Sequence, residues 1–138
     1  MTRHVFTYGS LMFAEVWTRV VAGRYESAPA ALHGHARFQV RDETYPGMVE
    51  EVDAVVNGVL YFDVDSDDLE RLDNFEGADY ERRDVAVVDA QGASHTAQTY
   101  LYRRGERLLT MTWDPDAFAM QRFIDTYCRD KLGPDRGR

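Results

Sequence analysis

The chain has 138 residues and a formal net charge of −8, from 16 Lys and Arg against 24 Asp and Glu. That length suits one domain with one core, and 44% hydrophobic residues supply the material for it. Such a composition excludes a disordered, collagen-like or disulfide-stapled chain. The acidic excess also argues against a nucleic-acid partner, whose phosphates are held by Lys and Arg.

The acid is concentrated. Fourteen carboxylates and three arginines (Arg71, Arg82, Arg83) fall between Glu50 and Asp89, so this stretch carries −11 and the rest +3. Its plain reading is a solvated face that keeps the protein soluble. Cys128 is the only cysteine and has no partner for an internal disulfide. The first residues lack the apolar core of a secretory signal, and no apolar run approaches membrane length. A cytoplasmic protein with no membrane partner is the expectation; the sequence does not reveal its oligomeric state.

In chain order, Val5–Tyr8 reads as a strand ended by Gly9-Ser10. Leu11, Met12, Val16, Trp17, Val20 and Val21 recur at helical spacing and predict a helix over 11–21, stopped by Gly23. Residues 31–40 are extended and broken at Gly34, and Tyr45-Pro46-Gly47 has the composition of a turn. Residues 55–64 read as one long strand or a strand pair, with Asn57-Gly58 composed like a hairpin turn. Alternation there places Val59, Tyr61 and Asp63 on one face and Leu60, Phe62 and Val64 on the other. Asp65-Ser66 reads as a helix cap, followed by acids that suit the positive dipole end and by a buried stripe of Leu69, Leu72 and Phe75. Gly77 is the stop.

Tyr80–Val88 and Thr96–Tyr102 read as two further strands joined through Ala90-Gln91-Gly92. Asp114 and Pro115 predict the cap and first turn of a helix reaching about Lys131. Residues 133–138 look like a frayed tail, leaving one domain over 1–132. Because helices and strands do not alternate regularly, the expected class is α+β: a small mixed or antiparallel sheet curled into a β-barrel with flanking helices.

Phosphate-binding loops, G-x-S-x-G and H-E-x-x-H are all absent. His33 and His35 share one face of a presumed strand at a spacing that could hold a metal, but no partner cluster accompanies them. Cys128 reads as a buried, inert thiol. Two segments point to chemistry. Tyr8-Gly9-Ser10-Leu11 joins a strand to a helix, where a glycine allows close approach and unpaired N–H groups suit a carboxylate or an oxyanion. Glu76 ends a short amphipathic helix beside Phe75. There the negative dipole end and partial burial both favour its neutral form, as a general acid/base near neutrality requires. Taken singly, the first segment is also a plain connector and the second a solvated helix-end carboxylate.

Together the two segments resemble the γ-glutamylcyclotransferase-like family, which includes the γ-glutamylamine cyclotransferases and the plant avirulence-induced (AIG2-like) proteins. The family's Y-G-[ST]-L matches Tyr8 to Leu11. Its L-D-x-x-E-G, followed by Y-x-R-x-x-V-x-V, matches Leu72, Asp73, Glu76, Gly77, Tyr80, Arg82, Val85 and Val87. Tyr45 to Val49 resembles its Pro-Gly turn and Gly58 to Tyr61 its G-x-[VL]-[YF] strand, so the likeness spans roughly residues 4–103. It implies a β-barrel with flanking helices, Glu76 as the general acid/base, and a γ-glutamyl group bound by Tyr8, Gly9, Ser10 and Leu11. Tyr80, Arg82 and Tyr102 are implied as further pocket or support residues, and no cofactor or metal is implied. Leu11 stands where the branch acting on glutathione or γ-glutamyl amino acids usually has Asn, and so looks like the γ-glutamylamine or uncharacterised bacterial branch. The helix after Trp113 resembles the plant proteins' C-terminal extension and brings no catalytic assignment. The activity implied is release of 5-oxoproline from a small γ-glutamyl amine or amide. The rival is a non-catalytic ligand-binding or regulatory module on the same fold.

Overall fold

In the computed structural model, which describes residues 2–133, Val5 and Phe6 are both fully buried although they point to opposite faces of β1 (Thr2–Thr7). Both faces of the sheet are therefore covered. The remaining strands are β2 (Ser27–Val40), β3 (Pro46–Asp65), β4 (Tyr80–Asp89), β5 (Ser94–Tyr102) and β6 (Leu108–Thr112). Their order is β3-β1-β5-β4-β2-β6, and β2 also pairs with β3. Five strands thus close a ring, with β6 appended to the far end of β2. Among the described residues only the β1–β5 pairing is parallel. This is the mixed barrel of an α+β fold.

All five ring strands contribute to one cluster: Phe6, Leu32, Met48, Leu60, Val87 and Ala97 fill the barrel. The second cluster joins the outward faces of β1, β3 and β5 to the helices. These are α1 (Ala14–Val20), α2 (Ser66–Glu76), and a C-terminal helix made of α3 (Met120–Phe123), a π-helical stretch (Ile124–Cys128) and α4 (Arg129–Leu132). Among the described residues no helix is long and apolar enough to cross a membrane.

α2 forms as its sequence implies. The Asp65 carboxylate accepts from Asp68 N at 2.8 Å. Leu69, Leu72 and Phe75 are buried, and Gly77 ends the helix at φ +81°. Asp68, one of the acids read as solvated, is instead 1% exposed. It accepts from Ala22 N, Gly23 N, the Tyr25 hydroxyl and Arg71, and so ties the end of α1 to the start of α2. Burial alone would raise its pKa; those four donors outweigh burial and hold it at about 2.

Several expectations are corrected. Asn57-Gly58 is no turn: the two residues pair with Ala31 and Ala30 inside the twenty-residue β3. The glycine serves close approach, since a Cβ there would lie 2.1 Å from the Thr7 carbonyl oxygen. Pro46 and Gly47 are strand residues paired with Gln39 and Phe38. The chain reverses just before them, with Asp42 at φ +63°. Asp63, at φ +53°, breaks the alternation of β3. Leu60 and Phe62 therefore belong with the barrel interior, and Val64 joins Tyr61 on the helix side.

The helix expected over 11–21 is a 3-10 turn (Ser10–Met12) and α1, separated by an extended Phe13. The helix expected from Asp114 is a 3-10 turn (Pro115–Ala117) capped by the Asp114 carboxylate, interrupted at Phe118 and resumed at Met120. β6 was not foreseen; it pairs with β2 at Phe38↔Thr112 and Val40↔Leu108. Gly133 ends α4, and the rest of the expected tail, 134–138, lies outside the described residues.

Candidate active site

Where β1 leaves the barrel, Tyr8 to Leu11 cross the end of α2. Here a pocket of about 420 Å³, its open mouth included, is lined by Tyr8, Gly9, Ser10 and Leu11 on one side and by Glu76 on the other. Residues 65 positions apart are joined because β1 pairs with β3, which feeds α2.

The turn is held from several directions. The Tyr8 carbonyl accepts from Arg37 Nη1 at 2.7 Å, and its hydroxyl donates to the Tyr100 carbonyl at 2.6 Å. The Leu11 carbonyl accepts from the Tyr61 hydroxyl at 3.3 Å. Gly9 has φ −126°, so no left-handed conformation requires glycine here. A Cβ would meet the Pro46 ring at 2.9 Å, so the glycine lets the turn close against that wall. Ser10 and Leu11 are buried at the start of the 3-10 turn. Its hydrogen bonds begin with Met12 N and Phe13 N, which leaves the earlier N–H groups outside the helical pattern.

Glu76 is the last residue of α2 and half-buried. Burial pushes its carboxyl up to about 8; Lys131 works against this and Asp73 adds to it. Tyr80 also lines the pocket and donates its hydroxyl to the Pro46 carbonyl at 2.7 Å. Burial first, and then the charge of Glu76, hold the Tyr8 hydroxyl firmly protonated.

Two of the family-implied residues stand outside the pocket. Arg82 lies on an adjoining polar groove, 2.9 Å from the Asp73 carboxylate and donating to Gln98 Oε1 at 2.8 Å. Asp73 in turn accepts from the Tyr100 hydroxyl at 2.6 Å, so Arg82 supports the pocket wall indirectly. The Tyr102 ring packs against Gly47, where a Cβ would lie 2.6 Å away, and edge-on to Tyr80 at 5.2 Å. His33 and His35 do not line the pocket; the bulge at Gly34 (φ +76°) falls between them.

Tyr45 and three residues that sequence reasoning missed, Tyr100, Phe123 and Tyr127, complete an aromatic wall around Glu76. The apolar spacing of Phe123, Ile124, Tyr127 and Cys128 was the available signal for the last two. It shows a helix face that must be buried, though not against what. One carboxyl of near-neutral pKa, tyrosine hydroxyls and a backbone turn, in a mostly aromatic cleft, suit proton transfer to and from a small polar ligand.

Comparison with known proteins agrees with this arrangement. Residues 5–115 match the family model described as "Gamma-glutamyl cyclotransferase, AIG2-like". AIG2-like protein D of Arabidopsis thaliana is 34% identical over 119 residues, covering 83% of this chain and 78% of that protein. A solution structure of an Arabidopsis thaliana protein superposes with a TM-score of 0.72 at 27% identity, covering 94% of this chain and 82% of the other. A solved gamma-glutamyl cyclotransferase shares the fold, with a TM-score of 0.64 at 20% identity, over 74% of this chain and 67% of its own. With its motifs, barrel and pocket in place, the chain belongs to the gamma-glutamyl cyclotransferase, AIG2-like family.

Proposed function

We propose that the protein releases 5-oxoproline from a γ-glutamyl amine or amide. The observation that carries this reading is the meeting of Glu76, its pKa near 8, with the Tyr8–Leu11 turn in one pocket. The substrate's α-amine attacks its own γ-carbonyl, so part of the proximity advantage is intramolecular, and the pocket has to hold the reactive rotamer. An α-ammonium has a pKa of about 8 and cannot attack while protonated.

The Glu76 carboxylate takes that proton, and the amine nitrogen then bonds to the γ-carbon. The resulting oxyanion is met by backbone N–H groups at Gly9 to Leu11. Protonated Glu76 delivers the proton to the departing nitrogen, and the original C–N bond breaks as the oxyanion re-forms the carbonyl. The Glu76 carboxylate then takes the second proton from the new ring nitrogen and passes it to the freed amine, so that 5-oxoproline and an ammonium leave. One amide bond replaces another, so no water is consumed, and no step calls for a metal or organic cofactor. General acid/base catalysis of this kind contributes roughly 10²–10⁴-fold.

The test is a panel of γ-glutamyl amines, γ-glutamyl dipeptides and glutathione, with 5-oxoproline and the released amine followed by mass spectrometry. Equal molar yields of the two are expected from at least one panel member. Ser10→Ala should retain most of the activity, because the backbone donors survive it. Release of glutamate in place of 5-oxoproline, or no release across the panel, contradicts the proposal.

A further inference from the structure

The family match ends at residue 115, yet the C-terminal helix beyond it reaches the pocket. Phe123 and Tyr127 wall the cleft. The Tyr127 hydroxyl lies against two carbonyls at the end of α2, donating to those of Phe75 and Glu76, the latter at 3.1 Å. These are carbonyls that the helix itself leaves unpaired. One turn further, Lys131 Nζ stands over the Tyr127 ring, 5.5 Å from its centroid. It also abuts the α2 terminus, since a Cβ at Gly77 would lie 2.7 Å from it. Lys131 and Glu76 together line the outer mouth of the pocket.

We infer that Lys131, seated by Tyr127, is a positioning residue for the reaction: it is the counter-charge that makes the Glu76 carboxylate available as a base. This rests on the reading of Glu76 as the acid/base. An aromatic cleft favours the neutral acid, and a base must spend part of its cycle ionised. Other titratable groups face Glu76 from every side. Asp73 is on its own helix, and the hydroxyls of Tyr8, Tyr80, Tyr100 and Tyr127 come from four other elements. At the mouth, Glu43 is engaged by Arg107 at 3.5 Å and Asp79 by Arg104 at 3.6 Å, and Asp130 adjoins Lys131. Among these groups Lys131 is the cation whose charge opposes protonation of Glu76.

The experiment is a pH titration of the Glu76 side-chain carboxyl by carbon-13 NMR in the full chain, assigned with Glu76→Gln. Wild type is compared with Lys131→Gln, Lys131→Arg and Lys131→Glu. The Lys131 side chain is exposed, so each variant is expected to fold. Loss of the charge should raise the Glu76 midpoint by about half a pH unit or more, the effect of one nearby, partly hydrated charge. Charge reversal should raise it further, Arg should restore it, and 0.5 M salt should narrow the differences. The acid limb of kcat/KM should move in step. Identical midpoints in wild type and Lys131→Gln overturn the inference. Because the titration reads the carboxyl itself, it decides the matter even in a protein that releases no 5-oxoproline.

Discussion

Glu76 sits where three influences on one carboxyl meet: an aromatic cleft, the negative end of α2, and Lys131 at the mouth. Glu76→Gln keeps shape and hydrogen bonding but abolishes proton exchange, so 5-oxoproline release should fall at least about 100-fold with the fold intact. The folded protein binds the Glu76 proton more tightly than the unfolded chain does, with a pKa of about 8 against 4.5. Below pH 4.5 both states are protonated and the residue costs nothing; the cost grows from there to about pH 8 and then levels off. Thermal melts should therefore show Glu76→Gln gaining stability relative to wild type across that interval. A constant difference at every pH would show that the carboxyl titrates normally. Glu76 and the Tyr8–Leu11 turn were both legible in the sequence, because a strand-to-helix glycine turn and a helix-end carboxylate are local features. Phe123 and Tyr127 were not, because their role depends on where distant elements pack.

At the scale of elements, α2 was readable almost to the residue, since a cap, an apolar stripe and a terminal glycine are written within thirteen consecutive positions. Its tie to α1 was hidden, because a buried Asp68 looks like its solvated neighbours until its four donors are in place. Its pKa lies below the ordinary 3.8, so the stabilisation it provides is present above that pH and is lost as pH falls towards 2. Asp68→Asn should cost about 2–4 kcal/mol in chemical denaturation at pH 7, with Arg71 and the two backbone donors left poorly matched. A loss below about 0.5 kcal/mol would mean that the cluster is not holding α1 to α2.

Gly58 makes the companion case in the barrel. Asn-Gly is the strongest short hairpin signal, but here the glycine passes 2.1 Å (as a hypothetical Cβ) from a backbone oxygen of β1. Gly58→Ala must part β1 from β3, and a loss of about 3 kcal/mol or failure to fold is expected. Stability equal to wild type would refute that close contact. The sequence showed the dipeptide; only strand pairing shows which of its two uses applies.

Across the whole molecule, the closed ring of five strands joins a motif near residue 10 to one near residue 76 and leaves the pocket at the seam between barrel and helices. Fold class was legible because the irregular succession of helices and strands excludes a doubly wound sheet. Register was not, since the bulge at Gly34 and the left-handed aspartates at positions 53 and 63 shift strand alternation without an apolar signature. The proposed role of Glu76, as the base of an intramolecular amide exchange, is decided by the pH dependence of kcat/KM for 5-oxoproline release, measured for wild type beside Glu76→Gln. In free enzyme the acid limb should have a midpoint near the Glu76 pKa of about 8 and a slope of one, and it should vanish with the residual activity of the variant. An acid limb that persists unchanged in Glu76→Gln, at a wild-type rate, would contradict the account.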